Sequence, residues 1–243
     1  MKEDYRLRIY ARYATGFQDA PETFDSAAAA RWGKAYDHYF RGWLPANKHA
    51  AVLEVACGGG RLLHLLMSRG YERVTGVDIS PEQVTLSRQV IPDVVQANAI
   101  EYLENHPTAY DLIVGLDIIE HFDKAEALRF LDACFASLRP SGRLILQTPN
   151  ADSPWGTVHR YNDFTHELGF NPNAIGRLLK LVGFSRVDAR ELGPVPFGYS
   201  VASTLRAVLW QLIRVSLKFW NIVETGHPGS GVFTRIFVVS ATK

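Results

Sequence analysis

Residues 51–60 read Ala-Val-Leu-Glu-Val-Ala-Cys-Gly-Gly-Gly. An apolar run with the composition of a buried strand ends in three consecutive glycines, and a helix-period stretch, Arg61–Ser68, follows at once. Strand, glycine turn and helix in that order form the opening unit of a doubly wound α/β sheet. In such a sheet ligands bind beyond the carboxyl ends of the strands, where strand order reverses. The glycines let a ligand approach bare backbone, and the helix beginning near Arg61 offers free N–H groups.

The rest of the chain extends this pattern. Strands are expected at 52–55, 73–77, 94–96, 110–116, 143–148, 184–191 and 232–240. Helices are expected at 27–40 with Ser26 as cap, 61–68, from Ser80-Pro81 to about Val90, 124–138, 172–182 closed by Gly183, and 202–223. Serine before proline marks a helix start, and glycine after the last apolar residue marks an end. Arg139-Pro140-Ser141-Gly142 reads as a turn. Alternation of this kind argues for a parallel sheet with helices on both faces.

Bulk properties narrow the partners. Of 243 residues, 47% are hydrophobic and 21% charged, and the net charge is +1, so electrostatics give no reason to expect nucleic acid. The two cysteines, Cys57 and Cys134, make neither a disulfide framework nor a zinc spacing. The start of the sequence lacks an apolar secretory core, and no charge-free apolar run is long enough to cross a bilayer, so a reducing cytoplasm is the expected location.

Asp78 ends the second strand, where a carboxylate can accept hydrogen bonds from both hydroxyls of a ribose. Dinucleotide and adenosylmethionine sites share that geometry. The dinucleotide fingerprint would need glycine at position 63, which is Leu63, and Glu54 before the loop suits a cationic ligand better than a pyrophosphate. A nicotinamide oxidoreductase is therefore disfavoured.

Glu54-Val55-Ala56-Cys57-Gly58-Gly59-Gly60 resembles the E/D-x-G-x-G-x-G motif of class I S-adenosylmethionine-dependent methyltransferases. Val77-Asp78-Ile79-Ser80, Gln96-Ala97-Asn98-Ala99, Tyr110–Leu116 through Glu120-His121-Phe122, and Leu138-Arg139-Pro140-Ser141-Gly142-Arg143-Leu144 resemble the later motifs of that family, in order, over residues 50–150. Ala56 stands where the family has its first glycine, and Asn98 where it usually has aspartate. The resemblance implies a Rossmann-like, seven-stranded, mostly parallel sheet whose last strand is antiparallel. It further implies a single domain: a helical cap at 1–45, a cofactor-binding core at 46–150, and an acceptor side at 151–243. The residues it assigns to S-adenosylmethionine are Glu54, Ala56, Cys57, Gly58, Gly60, Asp78, Ile79, Asn98, Ala99, Leu116 and Asp117.

The acceptor side is richest in chemistry at 155–167, which holds Trp155, His159, Arg160, Tyr161, Asp163, Thr165, His166 and Glu167. Methyl transfer to a hydroxyl needs a general base, and His121, His159 and His166 are the candidates, with Asp163 able to orient an imidazole. Asp163 and His166 could alternatively hold a divalent metal, although no metal is required by the pattern. Asp163-Phe164-Thr165-His166, Gly169-Phe170-Asn171-Pro172 and Leu178–Phe184 resemble methyltransferases of bacterial polysaccharide and sugar biosynthesis, which implies a sugar or glycan hydroxyl as acceptor. A quinone precursor, phenol or other small metabolite is the alternative acceptor, and a non-catalytic adenosylmethionine-binding protein is the alternative of another class.

Two segments stay open. Residues 201–223 form an amphipathic helix with a wide apolar face, suited to packing on the sheet, to a homodimer contact, or to peripheral contact with the inner face of a membrane. In residues 1–24, Tyr10, Arg12 and Tyr13 could close over the cofactor's carboxylate.

Overall fold

The computed structural model describes residues 5–17 and 22–243. Its helices are α1 (Tyr5–Tyr10), α2 (Tyr13–Phe17), α3 (Ser26–Tyr39), α4 (Arg61–Ser68), α5 (Pro81–Ser87), α6 (Ala99–Glu104), α7 (Lys124–Ser137), α8 (Gly156–Tyr161), α9 (Pro172–Val182) and α10 (Val201–Thr225). Its strands are β1 (Ala51–Val55), β2 (Arg73–Asp78), β3 (Val94–Gln96), β4 (Tyr110–Leu116), β5 (Leu138–Pro149), β6 (Ser185–Glu191) and β7 (Ile236–Thr242). They form one sheet in the order β3-β2-β1-β4-β5-β7-β6. Neighbours pair in parallel except β7, which is antiparallel to both β5 and β6. The Rossmann-like sheet with an antiparallel last strand is thus present.

The sheet separates two apolar layers. Every residue of β1 is buried, as expected of a parallel strand covered on both faces. Leu53, Val55 and Ile113 pack with α6, α7 and α9, while Val52, Leu112 and Val114 pack with α3 and α4. Strand order reverses between β1 and β4, so their carboxyl ends open the crevice where a ligand belongs.

Several local expectations change. Asp25, not Ser26, caps α3, accepting from the Ala28 N–H. Ser80 precedes α5 in extended conformation, but its hydroxyl makes no cap bond there. The turn at Arg139–Gly142 is absorbed into β5. Tyr110 pairs with Leu138 and Leu112 with Arg143, so the extra residues bulge out, with Ser141 at φ +63°. The last strand starts later than the apolar pattern suggested, at Ile236, because Val232–Thr234 is a buried loop.

The apolar stripe of α10 does not pack on the sheet. Ser203 and Ala207 are its buried residues, and Trp210 and Arg214 bond inward to Glu191 and the Gly231 carbonyl. Leu205, Leu212, Phe219 and Trp220 are each more than 60% exposed. No helix among the described residues is long and apolar enough to cross a membrane.

Candidate active site

The glycine loop leaves β1 through Ala56 at φ +52°, a left-handed conformation that costs an L-residue with a Cβ. This is the position where the resemblance expects glycine. Ala56→Gly relieves the strain at the loss of one partly buried methyl. The net expectation is on the order of 0.5–1 kcal/mol of added stability, a rise of about 2 °C in Tm by calorimetry. Gly58 and Gly60 are also left-handed, at φ +50° and +85°. A Cβ on Gly59 would meet Leu86 Cδ2 at 2.7 Å, and one on Gly60 would meet the Ser87 backbone at 3.2 Å. Glycine is thus required at 60 for packing against α5, and Gly60 lines neither of the cavities described next.

Two cavities meet at this loop. The larger, of about 480 Å³, is bounded by Ala56, Gly58, Asp78, Ile79, Asn98, Ala99, Leu116 and Asp117, with Tyr10, Tyr13, His121, His159, Asp163 and His166 opposite. The smaller, of about 440 Å³, lies under α3 and is lined by Trp32, Tyr36, Glu54, Cys57 and Gln147. Ala56, Gly58, Gln83, Leu116 and Asp117 belong to both.

Asp78 organises the loop. One carboxylate oxygen accepts from the Gly58 N–H at 2.8 Å and the other from the Ser80 N–H at 2.8 Å. Burial raises its pKa, and these backbone donors offset part of that rise. With the Ile79 N–H as a third backbone donor, the carboxylate still has a lone pair left for a ribose hydroxyl. Asn98 caps α6 by accepting from Ile100 and Glu101, so its side-chain amide N–H₂ remains for an adenine. Glu54 is 2% exposed and one of its oxygens has no partner. Burial and the nearby Asp78 charge raise its pKa well above the usual range, and the Leu63 N–H at the start of α4 counters this in part. Such an orphaned buried oxygen beside a loop that excludes Cβ atoms fits a cationic, nucleoside-bearing ligand, as S-adenosylmethionine is. Cys57 contributes backbone only to the loop, since its Sγ packs into the core against Gly76.

Asp117 follows β4 at φ +53° and accepts from Gln147 Nε2 at 2.6 Å, while Tyr36 donates to Gln147 Oε1 at 2.6 Å. Burial pushes Asp117 up to about 6. Neither Tyr36 nor Gln147 stands out in the sequence, because each lies inside an ordinary amphipathic helix or strand.

The histidines converge. His121 sits on a single 3-10 turn (Ile119–His121) and its Nδ1 lies 2.8 Å from Thr165 Oγ1. Thr165 donates its hydroxyl to Asp163 Oδ1 at 2.6 Å, so Thr165 accepts from His121 Nδ1–H. The Nδ1–H tautomer satisfies the chain Asp163–Thr165–His121 and leaves Nε2 unprotonated, while the Thr165 and Asp117 backbone carbonyls favour the charged ring. Burial, and next the neighbouring His166, lower the His121 pKa to about 4, which keeps the ring neutral at pH 7. Burial pulls Asp163 upward, but donors from Thr165 and Tyr13 outweigh it and the net pKa is lowered. The sequence grouped Asp163 with His166; the structure instead turns His166 Nδ1 to the His159 carbonyl at 2.9 Å. Glu120, His121 and His166 each bring one potential ligand atom within 4.8 Å of the others, so these three, rather than Asp163 with His166, are spaced to hold a divalent cation.

The N-terminal segment roofs the larger cavity. Tyr10 and Tyr13 line it as expected, whereas Arg12 is exposed outside it. Arg6, which sequence reasoning passed over, lines it in its place and pairs with both oxygens of Glu126 at 2.6 and 2.8 Å.

Residues 24–189 match the model of a family described as methyltransferase domains, and the chain belongs to that family, the S-adenosylmethionine-dependent class that its fold and glycine loop define. Over 107 residues, 42% of each chain, it is 36% identical to a ubiquinone biosynthesis O-methyltransferase of Xylella fastidiosa. Over 105 residues it is 32% identical to one from Idiomarina loihiensis, covering 41% of this chain and 42% of that one. The matched region thus spans less than half of these relatives. Across nearly its whole length the fold is similar to a SAM-dependent methyltransferase from Archaeoglobus fulgidus, with a TM-score of 0.64, 21% identity, and 99% and 100% coverage. It is also similar to Haemonchus contortus phosphoethanolamine N-methyltransferase 2 in complex with S-adenosyl-L-methionine, with a TM-score of 0.62, 14% identity, and 96% and 60% coverage.

Proposed function

We propose that the protein is an O-methyltransferase whose acceptor is an apolar phenol or quinone precursor. The observation that carries this reading is a third cavity, of about 740 Å³, walled by Trp155, Val195, Tyr199, Leu209, Trp210 and Phe233. It meets the larger loop-side cavity at His159 and Ile236, which line both. The similarity to ubiquinone biosynthesis O-methyltransferases supports the same acceptor class. The sugar reading rested on Gly169–Pro172, on Leu178–Phe184 and, for its polar groups, on Asp163-Phe164-Thr165-His166. The polar atoms of that segment are largely engaged internally, by Tyr13, Thr165, His121 and the His159 carbonyl, which leaves fewer of them for sugar hydroxyls.

Glu54, Gly58, Asp78, Asn98, Leu116 and Asp117 would hold S-adenosylmethionine. Bound there, it supplies an electrophilic methyl group on a sulfonium. The chain's own task is to place an acceptor oxygen and take its proton. His121 Nε2, kept neutral by burial and oriented through Thr165 and Asp163, is the acceptor for that proton. Tyr10 and Tyr13 line the same cavity and would narrow the access of water to a bound acceptor. Positioning supplies the remainder of the acceleration.

A screen with methyl-labelled S-adenosylmethionine tests the acceptor. Label is expected in alkyl- or prenyl-substituted catechols and absent from nucleotide sugars; label in the sugars alone rejects the reading. Thr165→Val removes the link between Asp163 and His121. It should lower kcat about tenfold or more while S-adenosylhomocysteine still binds with unchanged affinity in calorimetry.

A further inference from the structure

We infer that the third cavity takes an acceptor bearing an anionic group, a phosphate or a carboxylate, bound between Arg206 and Arg235 with its apolar body along α10. The inference rests on the methyltransferase reading and names the chemistry of its acceptor. Arg206 and Arg235 both line this cavity, and neither forms an ion pair or side-chain hydrogen bond among the described residues. No aspartate or glutamate lines it. Glu191, at the end of β6, is already committed: it accepts from the Trp210 indole at 3.0 Å and the Phe233 N–H at 2.9 Å, and pairs with Arg214 at 3.5 Å. Both guanidinium groups are solvent-exposed and, with no carboxylate in the lining, they give this mixed aromatic and aliphatic cavity a positive rim that favours an anionic group on the acceptor. An anion satisfies them, and arginine matches a phosphate or carboxylate through paired N–H donors.

The apolar part has its own track. Leu209 and Ile213 form the cavity wall, and Leu205 and Leu212 continue the same helix outward, 62% and 64% exposed. Ser203 Oγ donates to the Val195 carbonyl at 2.8 Å, fixing the loop before α10 against the helix so that the wall is rigid. His159 lines both cavities and Arg235 neighbours it, since burial and then the Arg235 charge lower the His159 pKa, so the arginine rim adjoins the methyl-transfer cavity. An acceptor with a charged group at the arginines and its hydroxyl toward His121 would span the two chambers.

Intrinsic fluorescence provides a direct readout, since Trp155 and Trp210 line the chamber. Dodecyl phosphate, kept below its micelle concentration, is expected to shift that fluorescence saturably. Dodecanol and inorganic phosphate should each bind at least tenfold more weakly. The double variant Arg206→Gln/Arg235→Gln should weaken dodecyl phosphate by tenfold or more, and Arg206→Lys/Arg235→Lys should retain most of the affinity. Dodecanol binding as tightly as the phosphate, or a glutamine double variant that binds as well as the wild type, overturns the inference. S-adenosylhomocysteine calorimetry on the same preparations separates the two levels. Loss of that binding in the wild-type protein would reject the methyltransferase reading, whereas normal binding with no preference for the anionic probe would reject the arginine site alone.

Discussion

Replacing His121 with alanine is expected to lower kcat by about 10²–10⁴-fold while leaving S-adenosylhomocysteine affinity within about twofold. The expectation follows from the division of labour in the larger cavity. His121 lines this cavity with His159, the residue shared with the acceptor chamber, and it makes no hydrogen bond to the glycine loop, Asp78 or Asn98 among the described residues. On the proposed reading, removing the imidazole takes away the proton acceptor and leaves the residues proposed to hold the nucleoside untouched. The pH profile should carry a matching mark. Because burial and His166 hold His121 near 4, its basic form persists far below the ordinary histidine range. Activity limited by this group falls only as the pH drops toward about 4, and a ring titrating near 6.5 by NMR in the folded protein would overturn the assignment. His159→Ala, at the junction of two chambers, should instead raise KM for the acceptor more than it lowers kcat.

The second large effect is at Asp78. An asparagine side chain at this position would have the same shape, but its amide can present an acceptor to only one of the two N–H groups that Asp78 now serves. The other donor would face an N–H₂ in a buried site. Stranding that donor destabilises the loop, and a ribose hydroxyl that loses its charged acceptor gives up about 1.5–3 kcal/mol, roughly a 10- to 100-fold weakening of S-adenosylhomocysteine binding. Calorimetry of the Asp78→Asn variant measures it directly. A change below about fivefold would mean that the carboxylate holds the loop without contributing to the ligand.

Much of this architecture is legible in the order of residues. The run Ala51–Val55 is buried along its whole length, on both of its alternating faces, and only a covered parallel strand needs that. Pro172 and Gly183 mark both ends of α9, since proline suits the first turn and Gly183 ends it at φ +117°. Asp78 is recognisable because it closes a strand beside a glycine turn. Direction is harder to read than periodicity. The α10 pattern has the right repeat for an amphipathic helix, yet its small and polar side faces the body and its leucines face out. Periodicity reports that two faces differ and does not say which one is inside. Long-range pairing is likewise hidden: His121 and Thr165 are 44 positions apart, and only the fold brings their side chains together. The bulge at Arg139–Gly142 looked like a plain turn because Ser141 and Gly142 carry turn chemistry whether or not a strand continues around them.

The roof formed by α1 and α2 ties two events together in time. Tyr13 donates to Asp163, and Asp163 is the same carboxylate that orients His121 through Thr165. Displacing Tyr13 would break that bond and withdraw one of the donors that lower the Asp163 pKa. If His121 is the base, its supporting carboxylate has its full set of donors only with Tyr13 in place. In the proposed reaction, entry to the cavity and readiness of the base would therefore exclude one another, a coupling that resides in a single phenol–carboxylate bond.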